Sequence, residues 1–282
     1  MTTPSDSTRY TLDDLLSLMA WLRDPQYGCP WDVKQQWATI VPHTLEEAYE
    51  VADAIERCAF DELPGELGDL LFQVVYYAQF GQEEGRFDFN DIVHVLTAKM
   101  IARHPHVFPD GTLASRREGM SAAEVEQQQV HSRWETRKAE ERAGRQAHSA
   151  LDDIPLALPA LSRAQKLSKR AARVGFDWPD TVGAIAKINE ELAEVEEAIS
   201  SGDKGEMHAE VGDLLFSVVN LARQLGIDPE QALRATNAKF ERRFRYVEQA
   251  LAAQGKRCED VPLEEMDRHW DAAKRTETHS SK

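Results

Sequence analysis

Residues 46–50 read Glu-Glu-Ala-Tyr-Glu, and residues 66–72 read Glu-Leu-Gly-Asp-Leu-Leu-Phe. Fifteen residues separate the last glutamate of the first stretch from the first glutamate of the second. The arrangement returns as Glu-Glu-Leu-Ala-Glu at 190–194 and Glu-Val-Gly-Asp-Leu-Leu-Phe at 210–216. Every acidic position, the glycine and the Leu-Leu-Phe recur 144 residues later, so the sequence indicates one module present twice.

Basic and aromatic residues further along the chain recur in the same order, at slightly shorter offsets. The corresponding pairs are Lys99 with Lys239, Arg103 with Arg243, Trp134 with Trp270, and Lys138 with Lys274. We therefore predict an N-terminal module at residues 1–141 and a C-terminal module at residues 151–282. The polar residues 142–150, which include Gly144, are predicted to link the two modules.

The apolar residues of each copy predict helices. In the first copy they recur at i, i+4, i+7, i+8 and i+11, as Leu67, Leu71, Val74, Val75 and Ala78, and the second copy repeats this spacing from Val211. Such a spacing forms one stripe of an α-helix, and no strand-like alternation competes with it. We predict an all-α fold with four or five helices per module. The turn-rich segments 63–65 and 200–205 predict that the two acidic helices of each copy form a hairpin.

Composition and charge exclude several classes of protein. The net charge is −16, which argues against binding to nucleic acid or to an anionic membrane surface. Residues 70–80 are the most apolar stretch and are too short to span a bilayer, and the polar N-terminus lacks the features of a signal peptide. The three cysteines form no paired motif, so we expect a protein of the reducing cytoplasm.

The acidic residues predict a metal site in each copy. Glutamates three residues apart lie on one face of a helix, and the hairpin brings the faces of its two helices together. The predicted ligands are Glu47, Glu50, Glu66 and Asp69 in the first copy, and Glu191, Glu194, Glu210 and Asp213 in the second. Mg²⁺ prefers such oxygen ligands, and Mn²⁺ is expected to substitute for it. A single acidic motif is more often a solvated helix face, but its paired and repeated occurrence favours a metal site.

A phosphorylated substrate also needs protein cations. Lys239, Arg242 and Arg243 lie within five residues on a predicted helix and suit phosphate oxygens, although such a cluster alone is commonly a solvated face. Lys187 lies one turn before Glu191, where it either reaches the substrate or pairs with Glu191. Trp270 either stacks on a base or packs in the core. The sequence contains no P-loop, dinucleotide or hydrolase-elbow motif.

Both acidic motifs, together with three flanking strings, resemble the MazG family of nucleoside triphosphate pyrophosphohydrolases over nearly the whole chain. The strings are Cys-Pro-Trp-Asp at 29–32, His-Pro-His-Val-Phe at 104–108 and Leu-Asp-Asp-Ile-Pro at 151–155. The resemblance implies an all-α bundle that forms a homodimer through helix packing. It also implies Mg²⁺-dependent cleavage of canonical and aberrant nucleoside triphosphates, ATP among them, between the α and β phosphates.

The resemblance also implies which residues act. The C-terminal copy of two-copy relatives carries catalysis, and Ala102 stands in the first copy where the second has Arg242. The implied metal ligands and catalytic residues are Glu191, Glu194, Glu210 and Asp213, and the implied nucleotide contacts are Lys187, Glu190, Lys239, Arg242, Arg243 and Trp270. A basic residue that some members place before the second acidic helix is replaced here by Glu206.

The expected function is broad-specificity hydrolysis of nucleoside triphosphates to the monophosphate and pyrophosphate, which would cleanse the nucleotide pool. The alternative is a regulatory protein that senses nucleotides by binding them without turnover. Turnover separates the two functions.

Overall fold

The computed structural model describes residues 9–116 and 149–280. Within these ranges the chain forms nine α-helices and no strand, which confirms the predicted all-α class. The helices are α1 (Leu12–Leu22), α2 (Trp37–Glu56), α3 (Leu63–Glu83), α4 (Phe89–Arg103), α5 (Ala160–Arg173), α6 (Thr181–Ser201), α7 (Lys204–Gln224), α8 (Pro229–Ala252) and α9 (Leu263–Ser280). Short 3₁₀ helices span Asp32–Lys34, Leu113–Ser115 and Cys258–Asp260.

The chain divides into two compact units, Met1–Glu140 and Glu141–Lys282, which we call the N-terminal and C-terminal units. The first contains α1 to α4 and the second α5 to α9 among the described residues. The segment that includes Trp134 and Lys138, and most of the predicted linker 142–150, lie outside the described residues. The predicted module limits therefore stay a prediction.

Helix α3 is the centre of the N-terminal unit, because α1, α2 and α4 all pack against it. Its buried residues Val75, Tyr76 and Phe80 meet Met19 of α1 and Ile40 of α2 in one hydrophobic core. Helices α1 and α4 begin at well-formed caps. Thr11, for example, accepts a hydrogen bond from the backbone N–H of Asp14, whose carboxylate in turn accepts one from the Thr11 N–H.

In the C-terminal unit, α6 and α7 form a hairpin, as α2 and α3 do in the first unit, and both hairpins were predicted. Helix α5 packs on α7 and α8, and α9 packs on α8. Helix α6 ends at Gly202, whose positive φ of 77° gives the left-handed conformation that glycine adopts without strain. Asp203 then caps α7 by accepting a hydrogen bond from the Gly205 N–H at 2.7 Å.

One predicted turn is wrong. The segment Leu63-Pro64-Gly65 forms the first turn of α3, and the connection from α2 is the preceding segment 57–62. The physical reason is that the first turn of a helix tolerates proline, since its backbone N–H groups have no partner within the helix.

The apolar stripes of the acidic hairpins are buried only in part. Val75 and Val219 are 1% and 2% exposed, whereas Leu71, Val211 and Leu215 are 39%, 45% and 54% exposed. The last turns of each stripe pack into the core of their own unit, and the first turns leave large apolar side chains on the surface. Among the helices of the described residues, none combines the length and the apolar character that crossing a membrane requires.

Candidate metal and nucleotide site

The hairpin of α6 and α7 brings three of the four predicted carboxylates of the second copy together. Oxygen atoms of Glu191 and Glu194 on α6 and of Glu210 on α7 all lie within 4.8 Å of one another. Asp213 follows Glu210 by one turn of α7 and lines a cavity together with Glu191. This all-oxygen set suits a hard divalent cation.

A lysine offsets part of the negative charge of this cluster. Glu191 is only 4% exposed, and its carboxylate lies 2.8 Å from the Lys187 Nζ. Lys187 also donates a hydrogen bond to Glu190 at 2.8 Å. The carboxylate of Glu190 and, to a smaller extent, that of Glu191 raise the pKa of Lys187. Burial, and next the negative charge of Glu191, raise the pKa of Glu194. Lys187 thus makes the intrahelical pair that the sequence allowed, and it does so at the wall of the cavity.

The cavity has a volume of about 660 Å³ and lies within the C-terminal unit. Such a volume is in the range of small-molecule sites. Helices α5, α6 and α7 and the loop between α5 and α6 form its walls. The lining residues are Leu151, Leu167, Ser168, Ala171, Gly175, Phe176, Asp177, Trp178, Ala184, Lys187, Glu191, Asp213, Phe216, Ser217 and Asn220.

The first copy has an equivalent acidic cluster. Oxygen atoms of Glu47, Glu66 and Asp69 lie within 4.8 Å of one another. Burial raises the pKa of Glu47, and the charges of Asp69 and Glu50 add to the effect. Glu50 also contributes to the raised pKa of Glu66, so it faces the same cluster. The residues of both copies therefore fit a divalent cation.

The two units differ in what lies beside the cluster. Ala184, Ser217 and Asn220 line the cavity of the C-terminal unit, and the residues 144 positions earlier are Ile40, Gln73 and Tyr76. All three of these larger side chains are buried, at 1%, 6% and 1% exposure. The Tyr76 hydroxyl donates to the Asp32 carboxylate at 2.6 Å, and Gln73 donates to Glu47 at 3.5 Å. In the first copy, packed side chains therefore occupy the positions that border the cavity in the second copy.

The predicted nucleotide contacts of α8 and α9 form a separate group. Arg242 and Arg243 both bind the carboxylate of Glu277, through their Nε atoms at 2.8 and 2.9 Å. The guanidinium of Arg243 lies 5.8 Å from the centre of the Trp270 ring, which also contacts Phe240. None of the residues described as lining the cavity belongs to α8 or α9, and Lys239 likewise is not among them. The tryptophan therefore packs on an arginine and a phenylalanine.

The histidines of the 104–108 string make local contacts. The Nδ1 atom of His104 lies 2.6 Å from the carbonyl oxygen of Met100, and its ring centre is 5.6 Å from that of His106. No acidic residue joins these histidines in a metal-binding group among the described residues. These contacts fit a structural role.

Sequence reasoning missed the cavity side chains Ser168, Ser217 and Asn220. A signal for two of them was present in the repeat itself. Most positions of the two acidic motifs match closely, but Ser217 and Asn220 of the second copy correspond to Gln73 and Tyr76 of the first. In both cases the second copy has the smaller side chain, and both positions lie on the same face of one helix. Ser168 lies on α5, outside the repeated acidic motifs, and carried no such signal.

Comparisons with known proteins identify the family of this chain. The family model described as "MazG nucleotide pyrophosphohydrolase domain" matches residues 35–108 and 183–247, which contain the two acidic hairpins. A nucleoside triphosphate pyrophosphohydrolase of Escherichia coli (strain K12) is 54% identical over 268 residues, covering 94% of this chain and 98% of the relative. A "nucleoside triphosphate pyrophosphohydrolase/pyrophosphatase MazG" of Thermotoga maritima is 41% identical over 262 residues, covering 93% of this chain and 95% of the relative. The chain therefore belongs to the MazG nucleotide pyrophosphohydrolase family.

Proposed function

We propose that this protein is a Mg²⁺-dependent hydrolase that converts nucleoside triphosphates to the monophosphate and pyrophosphate. The observation that carries the proposal is the position of the acidic cluster of Glu191, Glu194 and Glu210 beside a cavity of about 660 Å³. The relatives from Escherichia coli and Thermotoga maritima are named nucleoside triphosphate pyrophosphohydrolases, which supports the same reaction.

The residues of the cluster would hold Mg²⁺, with Mn²⁺ as a substitute. Glu191, Glu194, Glu210 and Asp213 offer only carboxylate oxygens, which magnesium prefers. Burial and next the charge of Glu191 raise the pKa of Glu194, and a cation would relieve the repulsion between these two carboxylates. When bound, such an ion activates water and stabilises the charge that develops on phosphate oxygens.

Lys187 and Glu190 position the buried carboxylate. The ammonium group of Lys187 is held by Glu190 on one side and Glu191 on the other, each at 2.8 Å. These contacts hold Lys187 and Glu191 at the wall of the cavity, where a phosphate oxygen bound by the lysine would compete with the two carboxylates. The basic residues Lys239, Arg242 and Arg243 are proposed as further phosphate contacts, although two of them bind Glu277 in the structure.

The C-terminal unit is proposed to be the catalytic one. Its cluster opens on a cavity, whereas Ile40, Gln73 and Tyr76 fill the equivalent positions of the N-terminal unit. The first copy keeps its carboxylates and so keeps the means to bind a cation, but a nucleotide would need the space that Tyr76 occupies. This contrast supplies a physical reason for the difference that the family resemblance implied.

A homodimer is proposed as the working form. Leu192 of α6 and Val211 and Leu215 of α7 are 47%, 45% and 54% exposed on the acidic hairpin. Apolar surface on a helical hairpin is commonly covered by another copy of the chain.

The proposed setting is the cytoplasm, which the three unpaired cysteines support. The proposed role is broad-specificity cleansing of the nucleotide pool. No nucleic-acid or membrane partner is proposed.

Pyrophosphate release from ATP, GTP, CTP and UTP, with Mg²⁺ and with a chelator, tests the reaction. We expect release that requires the metal; binding without release would establish the regulatory alternative instead.

Matched variants test the site. Glu194→Gln should lower kcat by roughly 100-fold because a charge that acts on the transition state is lost, and Glu50→Gln should leave turnover near wild type. Equal losses would show that both units are catalytic.

A further inference from the structure

Helix α7 connects the acidic cluster with the far end of the cavity. Asp213, Phe216, Ser217 and Asn220 all line the cavity, and their spacing of i, i+3, i+4 and i+7 places them on one face of the helix. Seven residues of an α-helix cover about 10 Å. The cavity therefore begins at the proposed phosphate site and continues about 10 Å along α7, which is a suitable length for the nucleoside that follows the phosphates.

The wall at the far end is aromatic and fixed in place. The indole ring of Trp178 lies against Gly183 of α6, where an added Cβ atom would be only 2.8 Å from the ring. The carboxylate of the preceding residue, Asp177, accepts hydrogen bonds from Arg223 and Gln224 at the end of α7. Gln224 also donates to the carbonyl oxygen of Trp178 at 3.1 Å. These contacts hold Trp178 as a preformed apolar surface at the cavity, and the exposed side chain of Phe176 lines the cavity beside it.

The side-chain amide of Asn220 has a defined orientation. Its Oδ1 atom accepts a hydrogen bond from the Nε of Arg223 at 3.0 Å. Arginine only donates, so the oxygen of the amide is turned to Arg223 and the two N–H groups of Nδ2 are turned away from it. Asn220 lines the cavity at this end, where the other walls are largely apolar, and Nδ2 is the donor that its side chain can offer there.

We propose that this far end binds the nucleobase of the substrate, with Asn220 donating a hydrogen bond to an acceptor atom on the base edge and Trp178 contacting the face of the ring. The proposal rests on the proposed function, because it assigns the second half of the same substrate. Purines and pyrimidines all carry acceptor atoms on their edges, and aromatic side chains stack on every base. A subsite with one donor and aromatic walls therefore accepts all four bases and selects by size more than by edge pattern.

The comparison of the two units supports this assignment. Tyr76 stands at the position of Asn220 and fills it with a ring that belongs to the core of the N-terminal unit. One side chain at this position therefore decides whether the space is core or subsite. The same exchange can be used as a test in the C-terminal unit.

The test uses Asn220→Leu, which removes the donor but keeps a similar volume and a good helix former. The probes are AMP and UMP, which carry a base, and tripolyphosphate, which does not, each titrated by calorimetry in the presence of Mg²⁺. We expect the affinity for AMP and UMP to fall roughly 3- to 10-fold, and KM for ATP and UTP to rise as much, with kcat near wild type. Affinity for tripolyphosphate should stay unchanged. Asn90→Leu, the same substitution at an exposed position in α4, is the matched control.

A second variant, Asn220→Tyr, should abolish binding of AMP and UMP and retain binding of tripolyphosphate, because it fills only the far end. If this variant does not fold, Asn220→Leu decides alone. Unchanged AMP and UMP affinity in Asn220→Leu, or an equal loss for tripolyphosphate, would overturn the proposed base subsite. If the wild-type protein releases no pyrophosphate but Asn220→Leu weakens AMP binding, the proposed function fails and the base subsite stands.

Discussion

The substitution Tyr76→Phe tests whether the filled position of the N-terminal unit has a purely structural role. Tyr76 is 1% exposed, and its hydroxyl donates to the carboxylate of Asp32 at 2.6 Å. Asp32 is itself 7% exposed, so removal of the hydroxyl leaves a buried carboxylate oxygen without this donor. Hydrogen bonds to charged groups contribute about 1.5–3 kcal/mol, and the ring of phenylalanine keeps the packing with Met19 and Phe80.

We expect the variant to lose about 1.5–3 kcal/mol of stability, which corresponds to a fall in Tm of roughly 5–10 °C for a unit of this size. Calorimetry of the full chain measures the shift, and pyrophosphate release at 25 °C measures activity, which should stay within about twofold of wild type. Tyr27→Phe is the control, because the Tyr27 side chain is 83% exposed. A loss of turnover in Tyr76→Phe comparable with that of Glu194→Gln would refute the reasoning and would place Tyr76 in a working site.

Two further predictions concern assembly and the acidic clusters. Light scattering should show a dimer at micromolar concentration, because Val211 and Leu215 are exposed in a single copy, and a stable, active monomer would contradict the proposed interface. Mg²⁺ should raise the Tm, and the rise should shrink as the pH is lowered from 7. Because folding raises the pKa of Glu47 and Glu194, the metal-free fold loses stability as the pH rises through the pKa of these groups. Repulsion between the carboxylates is then greatest at neutral pH, where a bound cation stabilises the fold most. A thermal shift that does not depend on pH would contradict this account.

The sequence predicted the fold because its signals were local and occurred twice. The apolar spacing that begins at Leu67 is a property of one helix, and its recurrence from Val211 made chance agreement improbable. The pairing of α2 with α3 and of α6 with α7 followed from the short connections between them. The start of α3 was misplaced because proline and glycine occur both in turns and in the first turn of a helix.

The site could be predicted only where the residue types and their spacing indicate a chemical role. Carboxylates at helical spacing indicate a metal site, and Glu191, Glu194 and Glu210 indeed converge. The sequence gives no comparable signal for the cavity, because its space results from side chains contributed by three helices and a loop. The pairing of Arg243 with Glu277 was equally hidden, since the two residues are 34 positions apart and meet only through the packing of α9 on α8.

The empty space beside Asn220 also has a cost for folding. The C-terminal unit leaves this space open and so lacks contacts that the N-terminal unit keeps through Tyr76 and Ile40. The two copies therefore differ in their interiors: the N-terminal unit keeps a dense core at these positions, and the C-terminal unit keeps an open cavity beside its acidic cluster. A ligand that binds in this cavity is expected to stabilise the C-terminal unit, because it would supply contacts that Tyr76 and Ile40 make in the other unit.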